Sequence, residues 1–487
     1  MAILSTPTYQ LQPSAQQVAL STNYITDFNF LNQYLPDTYE KEFERYGNRT
    51  IASFLRMVGA EMPSNSDMIK WAEQGRLHIK YVNVTSTTTL SNADTATFVI
   101  NDILVPNRAA TGLSPGYIAL RVGQTVVITP NVAGPTQNKA IITAVNTSTA
   151  EVTVAFYEAA GMTNASTANT FTMFIYGSEF KKGTNGMVGS LEAEDSIFEN
   201  SPIIIKDKYA VSGSDMAQIG WVEVTTENGA SGFLWYLKSE HETRLRFEDY
   251  LETAMIEAVP AVSGSGAVAA GYKGSEGVFY VVNNRGNVWG GGNPTTLADF
   301  DSIVSRLDKQ GSIEENVIFV NRDYSFDIDD MLATLNGYNA SGSSNAASFG
   351  LFENDVNMAL NLGFSGFRRG YDFYKTDWKY LNDPTMRGGL TASTTGASTA
   401  NVITGLLVPA GSTTVYDQVL GKNAKRPFLH VRYRATATED RRYKTWITGS
   451  AGGAATSDLD AMEVNFLSER CVCTLGANNF VLFRYGA

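Results

Sequence analysis

The chain has 487 residues, more than a single hydrophobic core usually serves, so we expect two or more domains. A hydrophobic fraction of 43% with 18% charged residues is typical of a folded protein, and no uninterrupted apolar run is long enough to span a membrane. The net charge of −12 disfavours proteins whose main task is to grip nucleic-acid phosphates. The N-terminus has neither the basic nor the apolar region of a secretory signal.

The first part of the chain predicts an arm. Residues 1–50 are rich in Gln, Ser, Thr and Tyr, and a short amphipathic helix is predicted from about residue 49. The partial alternation of 71–84 predicts a strand, and so does NSPIIIKDKYAVSGS at 200–214. We expect these two strands to pair as a long hairpin.

The block between the two strands has a different composition. Residues 83–178 contain only seven charged side chains and are rich in Thr, Ser, Asn, Val and Ile. Short apolar runs are separated by Gly, Pro and Asn turns, and no helix start is present. This pattern predicts a small all-β domain, a barrel or a sandwich, inserted into the arm at 86–178.

A long charged helix is predicted at 233–259, because the segment contains no Pro or Gly and has an apolar stripe. At 1.5 Å per residue its length is about 40 Å. Glu240 with Arg244, and Glu242 with Arg246, are acid-before-base pairs four residues apart.

The remaining segments predict a βαβ-like unit and a final sheet. We expect a strand at 278–282, a helix at 295–310 and a strand at 316–321. Thr296 and Asp299 predict the helix cap and Gly311 its end. A second helix is predicted from residue 326, and four segments between 428 and 486 predict a C-terminal antiparallel sheet.

No motif predicts catalysis, a cofactor or a metal. GLSPG at 112–116 has the pattern of a hydrolase elbow, but Pro115 lacks the amide that the oxyanion needs. HETRL at 241 lacks a second histidine, and DIDD at 327 lacks the glycine and glutamate of a calcium loop. Cys471 and Cys473 lie on one face of a strand and predict buried free thiols.

The order of these segments resembles the major capsid protein of tailed bacteriophages, an α+β, HK-ninety-seven-like fold shared with herpesvirus shells. LADFDSIVSRLDKQGSIEENVIFVNRDYSFDIDDML is similar to the axial-domain segment of that family, and LSERCVCTLGANNFVLF looks like its last peripheral strands. NSPIIIKDKYAVSGS runs toward the long helix as the extended loop of the family runs into its spine helix. The N-terminal arm and loop look most like those of crAss-like gut phages.

The resemblance implies a division of the chain into five parts. They are an N-terminal arm with a short helix (1–64), an extended loop (65–85 and 179–225), the inserted all-β domain (86–178), a peripheral domain with its spine helix (226–274 and 425–487), and an axial domain (275–424).

The resemblance also implies a function without enzymatic activity. The chain is expected to form pentamers and hexamers of an icosahedral head that encloses double-stranded DNA without sequence-specific binding. Expected partners are many copies of itself, a portal, a separate scaffolding protein and head auxiliary or decoration proteins, with no membrane. The expected location is the virion capsid, after synthesis in the bacterial host cytoplasm.

The residues expected at contacts between subunits come from the hairpin and the long helix. They are Ile203, Ile204, Ile205, Lys206, Lys208, Glu240, Glu242, Arg244 and Arg246. Without the resemblance, the helix charges are those of an ordinary solvated helix. The alternative function is a β-rich phage tail or surface adhesin that binds glycans, favoured by the Thr- and Ser-rich β content.

Overall fold

The structure is a computed structural model. It describes residues 61–75, 78–101, 118–132, 137–147, 149–159, 161–162, 169–189, 195–218, 223–225, 231–335, 366–390, 402–417, 422–451 and 455–484. Residues 1–60 of the predicted N-terminal arm (1–64), with its short helix, and the GLSPG motif lie outside these residues.

Strands predominate in the described part of the chain. In chain order they are β1 (Glu61–Ser64), β2 (Ile69–Gln74), β3 (Lys80–Ser86), β4 (Thr95–Ile100), β5 (Gln124–Pro130), β6 (Asn138–Asn146), β7 (Glu151–Phe156), β8 (Thr170–Ser178), β9 (Asp195–Asn200), β10 (Ile203–Ser212), β11 (Glu223–Thr225), β12 (Ser231–Phe233), β13 (Asn287–Trp289), β14 (Glu315–Val320), β15 (Gly366–Arg369), β16 (Tyr371–Asp377), β17 (Ile403–Pro409), β18 (Ser412–Asp417), β19 (Lys422–Pro427), β20 (Leu429–Arg434), β21 (Lys444–Gly449), β22 (Ala461–Thr474) and β23 (Val481–Arg484).

The helices of the described residues all follow β10 in the chain. They are α1 (Gly213–Gln218), α2 (Leu234–Glu257), α3 (Gly266–Ala269), α4 (Val278–Arg285), α5 (Leu297–Gln310), α6 (Arg322–Leu335) and α7 (Lys379–Asn382). The chain forms two compact units, one of residues Ala72–Phe198 and the other of Met1–Trp71 with Glu199–Ala487.

The first unit is built around a closed barrel with the strand order β3-β4-β7-β6-β5-β8. Alternate residues of each strand point inward, so that the side chains of Phe98 and Phe171 meet edge to face at 5.4 Å between ring centroids. The sequence predicted either a barrel or a sandwich, and the structure shows a barrel. Its first strand, β3, lies in the segment that we assigned to the extended loop, because Tyr81 and Val84 belong to the barrel core.

The second unit contains a five-stranded sheet in the order β1-β20-β22-β10, with β21 also paired to β22. This corrects the predicted hairpin, because β10 pairs antiparallel with β22 over Ile203–Arg470 to Ser212–Ala461 rather than with 71–84. The entry strand β2 pairs with β9 instead. Pro202 separates β9 from β10 and has no N–H for a sheet ladder, so the pairing with β2 stops there.

The second unit also contains a mixed six-stranded sheet in the order β13-β23-β17-β14-β16-β15 and the two-stranded sheets β11-β12 and β18-β19. Two predictions are wrong here. The segment 278–282 is the start of helix α4, with Val278, Phe279 and Val282 buried on one face, because a short buried apolar run suits either element and packing decides. The last strand, β23, leaves the antiparallel sheet and pairs with β13 and β17.

The cap predicted for α5 is confirmed. The Thr296 hydroxyl accepts a hydrogen bond from the Asp299 amide, the Asp299 carboxylate accepts one from the Thr296 amide, and Gly311 ends the helix at a φ of 70°. Helix α6 begins at Arg322, four residues before the predicted start.

Helix α2 rests on the five-stranded sheet through Phe247. Its ring centroid lies 5.7 Å from that of Phe466 in β22 and 5.4 Å from that of Tyr443. Replacement by alanine removes these contacts and leaves a cavity, so we expect Phe247→Ala to lower the free energy of unfolding by about 3–5 kcal/mol in a urea titration. Tyr250→Ala, on the exposed side of the same helix, should change it by less than about 0.5 kcal/mol. Equal losses would contradict this packing.

Candidate functional site

The exposed side of helix α2 carries most of the charged residues that the sequence singled out. Thr243, Phe247 and Met255 are buried against the unit, whereas Glu242, Arg246 and Tyr250 follow one another at a spacing of four residues on the exposed side. Arg244 is also exposed and pairs with Glu248 at 3.6 Å, and Glu240 is partly exposed. This surface is charged and regular over about three turns of helix.

The predicted residues of β10 divide between the two faces of the sheet. Ile205 lies in the core with Phe247, and Ile203 packs against that core. Ile204, Lys206 and Lys208 are exposed, and strand alternation places them on the face opposite α2. The nine predicted residues therefore do not form one surface. The burial of Ile205 is explained by contacts within its own chain.

An ion pair between a lysine and a glutamate links two neighbouring strands on the outer face of the sheet. Lys208 Nζ lies 2.8 Å from a carboxylate oxygen of Glu463 in the neighbouring strand β22. Lys206 stands directly opposite Leu467 in the same ladder, and Leu467 is buried although it belongs to none of the core clusters. The aliphatic part of a lysine side chain can cover an apolar neighbour while its ammonium group stays in water.

An ion cluster holds the sheet together where β1 joins it. The carboxylate of Glu469 in β22, only 7% exposed, lies 3.1 Å from Arg434 and 2.7 Å from Arg441. Glu61 in β1 pairs with Arg470 at 3.3 Å and also with Arg442. Strand β1 is thus attached both by its parallel pairing with β20 and by two arginines.

The arginines of this cluster also bind groups outside it. Arg434 hydrogen-bonds to Asp67, and this bond is the main cause of the lowered pKa of that carboxyl group. Arg470 donates hydrogen bonds of 2.8 Å to the Ser468 hydroxyl and to the backbone carbonyl of Arg442. The cluster is therefore a structural network, whose members come from segments about 400 residues apart along the chain.

A buried asparagine fixes the corner between β9 and β10. Asn200 donates hydrogen bonds to the carbonyl oxygens of Val472, at 2.7 Å, and Glu276, at 3.0 Å. Its own carbonyl oxygen accepts bonds from the Ser275 hydroxyl and the Glu276 amide at 2.9 and 2.8 Å. We did not predict a role for this residue, because its partners are distant in the chain and only its place at the start of the predicted strand 200–214 marked it.

The motifs considered for chemistry have structural partners. Asp327 accepts a hydrogen bond from Asn293 at 2.6 Å, and Asp329 forms a buried ion pair with Lys375. The two cysteines are buried in β22, and a hydrogen bond of the Cys471 thiol to Cys473, together with burial, raises the pKa of Cys471. His241 is exposed on α2.

Within the described ranges, no group of three or more His, Cys, Asp and Glu side chains is placed to hold a metal ion. No helix among the residues searched is both long and apolar enough to cross a membrane.

The chain matches no protein-family model and no curated protein. It aligns with the capsid of a native GTA particle at 8% identity and a TM-score of 0.38, over 93% of this chain and 97% of that chain. A structure from Microbacterium phage Oxtober96 aligns at 9% identity and a TM-score of 0.36, over 92% and 95%. The mature capsid of bacteriophage PhiM1 aligns at 9% and 0.31, over 63% and 78%. Similarity this low decides neither the fold nor the function.

Glu469 is the residue whose loss should weaken the ion cluster most. Glu469→Gln leaves Arg434 and Arg441 without their shared carboxylate, so we expect the free energy of unfolding to fall by about 3 kcal/mol in a urea titration. The matched control is Glu439→Gln, whose pair with Lys444 is about half exposed and should cost less than about 1 kcal/mol. A loss no greater than that of the control would show that the cluster is not a stabilising element.

Asp249 on α2 should make stability depend on pH. Burial, together with the nearby carboxylates of Glu248 and Asp383, raises its pKa from 3.8 to about 6. The folded state then binds the proton more tightly than the unfolded state, so stability falls as the pH rises through this window. Asp249→Asn should leave the midpoint of thermal unfolding unchanged near the lower pKa and raise it above the higher one.

Asp301→Asn is the control, because the pKa of Asp301 is shifted in the opposite direction to that of Asp249. A hydrogen bond from Arg369 lowers the pKa of Asp301, so this carboxylate contributes stability at neutral pH. Asp301→Asn should therefore lower the midpoint of thermal unfolding at pH values above the pKa that Asp301 has in the unfolded chain. If Asp249→Asn behaved in the same way, the raised pKa of Asp249 would be wrong.

Proposed function

We propose that this chain is the structural subunit of an icosahedral phage head. The observation that carries the proposal is the two-stranded sheet of β2 and β9, which belongs to neither of the large sheets nor to the barrel. The chain runs along β2 from one compact unit into the other and returns along β9. Ile197 in β9 is 70% exposed and Met68, just before β2, is 42% exposed.

A two-stranded sheet by itself is only marginally stable in water. Trp71 in β2 packs against the core of the larger unit, whereas Ile197 in β9 is exposed and needs a further surface on which to lie. A second copy of the chain supplies such a surface in an assembly in which every subunit extends its pair over a neighbour. In this proposal, β2 and β9 take the place at the contact between subunits that we predicted for β10. The attribution to crAss-like gut phages stays a prediction from the sequence.

In the assembly that we propose, copies of the chain form pentamers and hexamers of a closed shell. The charged side of α2, with Glu242, Arg244 and Arg246, and the outer sheet face with Ile204, Lys206 and Lys208 are surfaces for neighbouring subunits. Pairs of opposite charge at such surfaces fix the register of the subunits and exclude wrong arrangements.

The proposed shell encloses double-stranded DNA without reading its sequence. A chain with a net charge of −12 repels phosphates and does not retain the DNA at the inner wall. Portal, scaffolding and auxiliary proteins are the further partners in this proposal, and the chain itself performs no reaction.

The full-length chain, expressed with its scaffolding protein and imaged by negative-stain electron microscopy, tests the proposal. Closed shells or rings of five and six subunits are the expected result. Monomers or trimers alone, in the presence of the scaffold, would overturn it. Small fixed oligomers that bind glycans would favour a surface adhesin instead.

Ile197→Asp should separate assembly from folding. The new carboxylate would have to be buried at every contact between β9 and a neighbour, so we expect the yield of shells to fall roughly tenfold or more. The midpoint of thermal unfolding of the unassembled chain should change little, since Ile197 is exposed there. Leu459→Asp, at an exposed leucine outside the pair, is the matched control and should assemble normally. Unchanged assembly of Ile197→Asp would argue against this contact.

A further inference from the structure

The outer wall of the barrel presents aromatic side chains to solvent. Phe174 and Tyr176 point outward from β8 and are 41% and 48% exposed. Phe180, two residues beyond the end of β8, is 43% exposed. Singly exposed apolar residues are ordinary, but several together on one surface usually mark a binding site.

Two lysines lie in the same row of the barrel wall. Phe174 stands opposite Lys80 in β3 on one side and opposite Val127 in β5 on the other, and Val127 stands opposite Lys139 in β6. Directly paired residues point to the same face of a sheet, so all four lie on the outer wall. Lys139 also places its ammonium group 5.6 Å from the centroid of the Tyr176 ring. We call this surface, made of Lys80, Lys139, Phe174, Tyr176 and Phe180, the barrel face.

Part of the barrel face is held in a single arrangement. The Phe180 ring packs on Gly123, whose φ is +88°, so closely that a Cβ atom there would meet the ring at 2.6 Å. The neighbouring Tyr157 donates a hydrogen bond to Glu179. A surface whose aromatic side chains are already positioned loses less conformational entropy when a partner binds.

The charges of the two units indicate the partner. The segment 72–198 contains seven basic and nine acidic side chains, whereas the remaining 360 residues contain thirty and forty. Most of the excess negative charge therefore belongs to the unit without the barrel. A face with two exposed lysines is complementary to the acidic unit of a second copy.

Helix α6 offers the matching surface on that unit. Asp323, Phe326 and Asp330 are exposed, and their spacing of three and four residues places them on one side of the helix. Phe326 is 56% exposed, with the guanidinium of Arg322 5.9 Å from its ring centroid. We call these three residues the α6 stripe. It combines an exposed aromatic ring with two carboxylates.

We propose that the barrel face of one copy binds the α6 stripe of a second copy, with Lys80 and Lys139 facing the carboxylates and Phe174 and Tyr176 contacting Phe326. The inference rests on the proposed function, in which copies of the chain meet in a shell. It assigns the barrel a role in joining subunits.

A charge exchange in the full-length chain tests the pairing. Lys139→Glu and Asp330→Lys should each lower the self-association constant roughly tenfold by sedimentation velocity, and the two changes together should restore most of the loss. Glu151→Lys, on another strand of the barrel, is the control for a change in net charge and should leave the constant unaltered. If both single changes have no effect, or if the combination only adds their losses, the pairing is wrong.

Removal of the aromatic rings gives a second measurement. Phe174→Ser with Tyr176→Ser should weaken self-association, and assembled shells should dissociate at a lower concentration of guanidinium chloride. Val132→Ser, an exposed residue beyond the far end of β5, is the matched control. Circular dichroism must show the same barrel unfolding in all variants, because the replaced rings are not part of its core.

The outcomes separate this inference from the proposed function. Shells that form and resist dissociation equally in parent and variants overturn the inference and leave the capsid proposal standing. A parent chain that neither assembles with scaffold nor self-associates overturns both. Loss of glycan binding in the aromatic variants, with unchanged self-association, would overturn the inference in favour of an adhesin.

Discussion

The pairing of β22 on both of its edges is the interaction on which the larger unit depends. This strand has fourteen residues, and β10 occupies one edge while β21 and β20 share the other. Its inward side chains, among them Val464 and Phe466, form the floor on which α2 lies. A strand that is paired on both sides and covered by a helix satisfies its backbone groups and buries its apolar face at once.

Polar contacts then fix the chain at the ends of this sheet. Glu469 joins Arg434 and Arg441, Glu61 brings in β1, and Asn200 bonds to the carbonyl of Val472. A buried charge or amide is tolerated only when its partners are in place, so these contacts specify where β1 and β9 meet the sheet. Both Glu61, shortly before β2, and Asn200, at the end of β9, are thus attached to the sheet.

In the proposed assembly, three kinds of surface serve contacts with other copies of the chain. The pair of β2 and β9 exposes Ile197, α2 exposes alternating charges, and the barrel face combines rings with lysines. A protein that acts by joining many identical copies needs several separate surfaces of this kind, because each subunit has several neighbours.

The features that could be predicted from the amino-acid sequence are local ones. The cap of α5 at Thr296 and its end at Gly311 were predicted, because both depend on hydrogen bonds and backbone angles within a few residues. The short strands of the barrel were visible for the same reason, since alternation is a local pattern. The failure of GLSPG as a hydrolase motif follows from Pro115 alone.

The pairing of distant elements could not be predicted in this way. The partner of β10, the helical form of 278–282 and the place of β23 depend on residues up to about 270 positions away, and apolar runs suit more than one neighbour. The cluster around Glu469 and the hydrogen bonds of Asn200 likewise join distant segments whose charges and amides are unremarkable in sequence. Sequence patterns report the environment of a side chain, whereas the identity of the neighbour is settled by the packing of the whole unit.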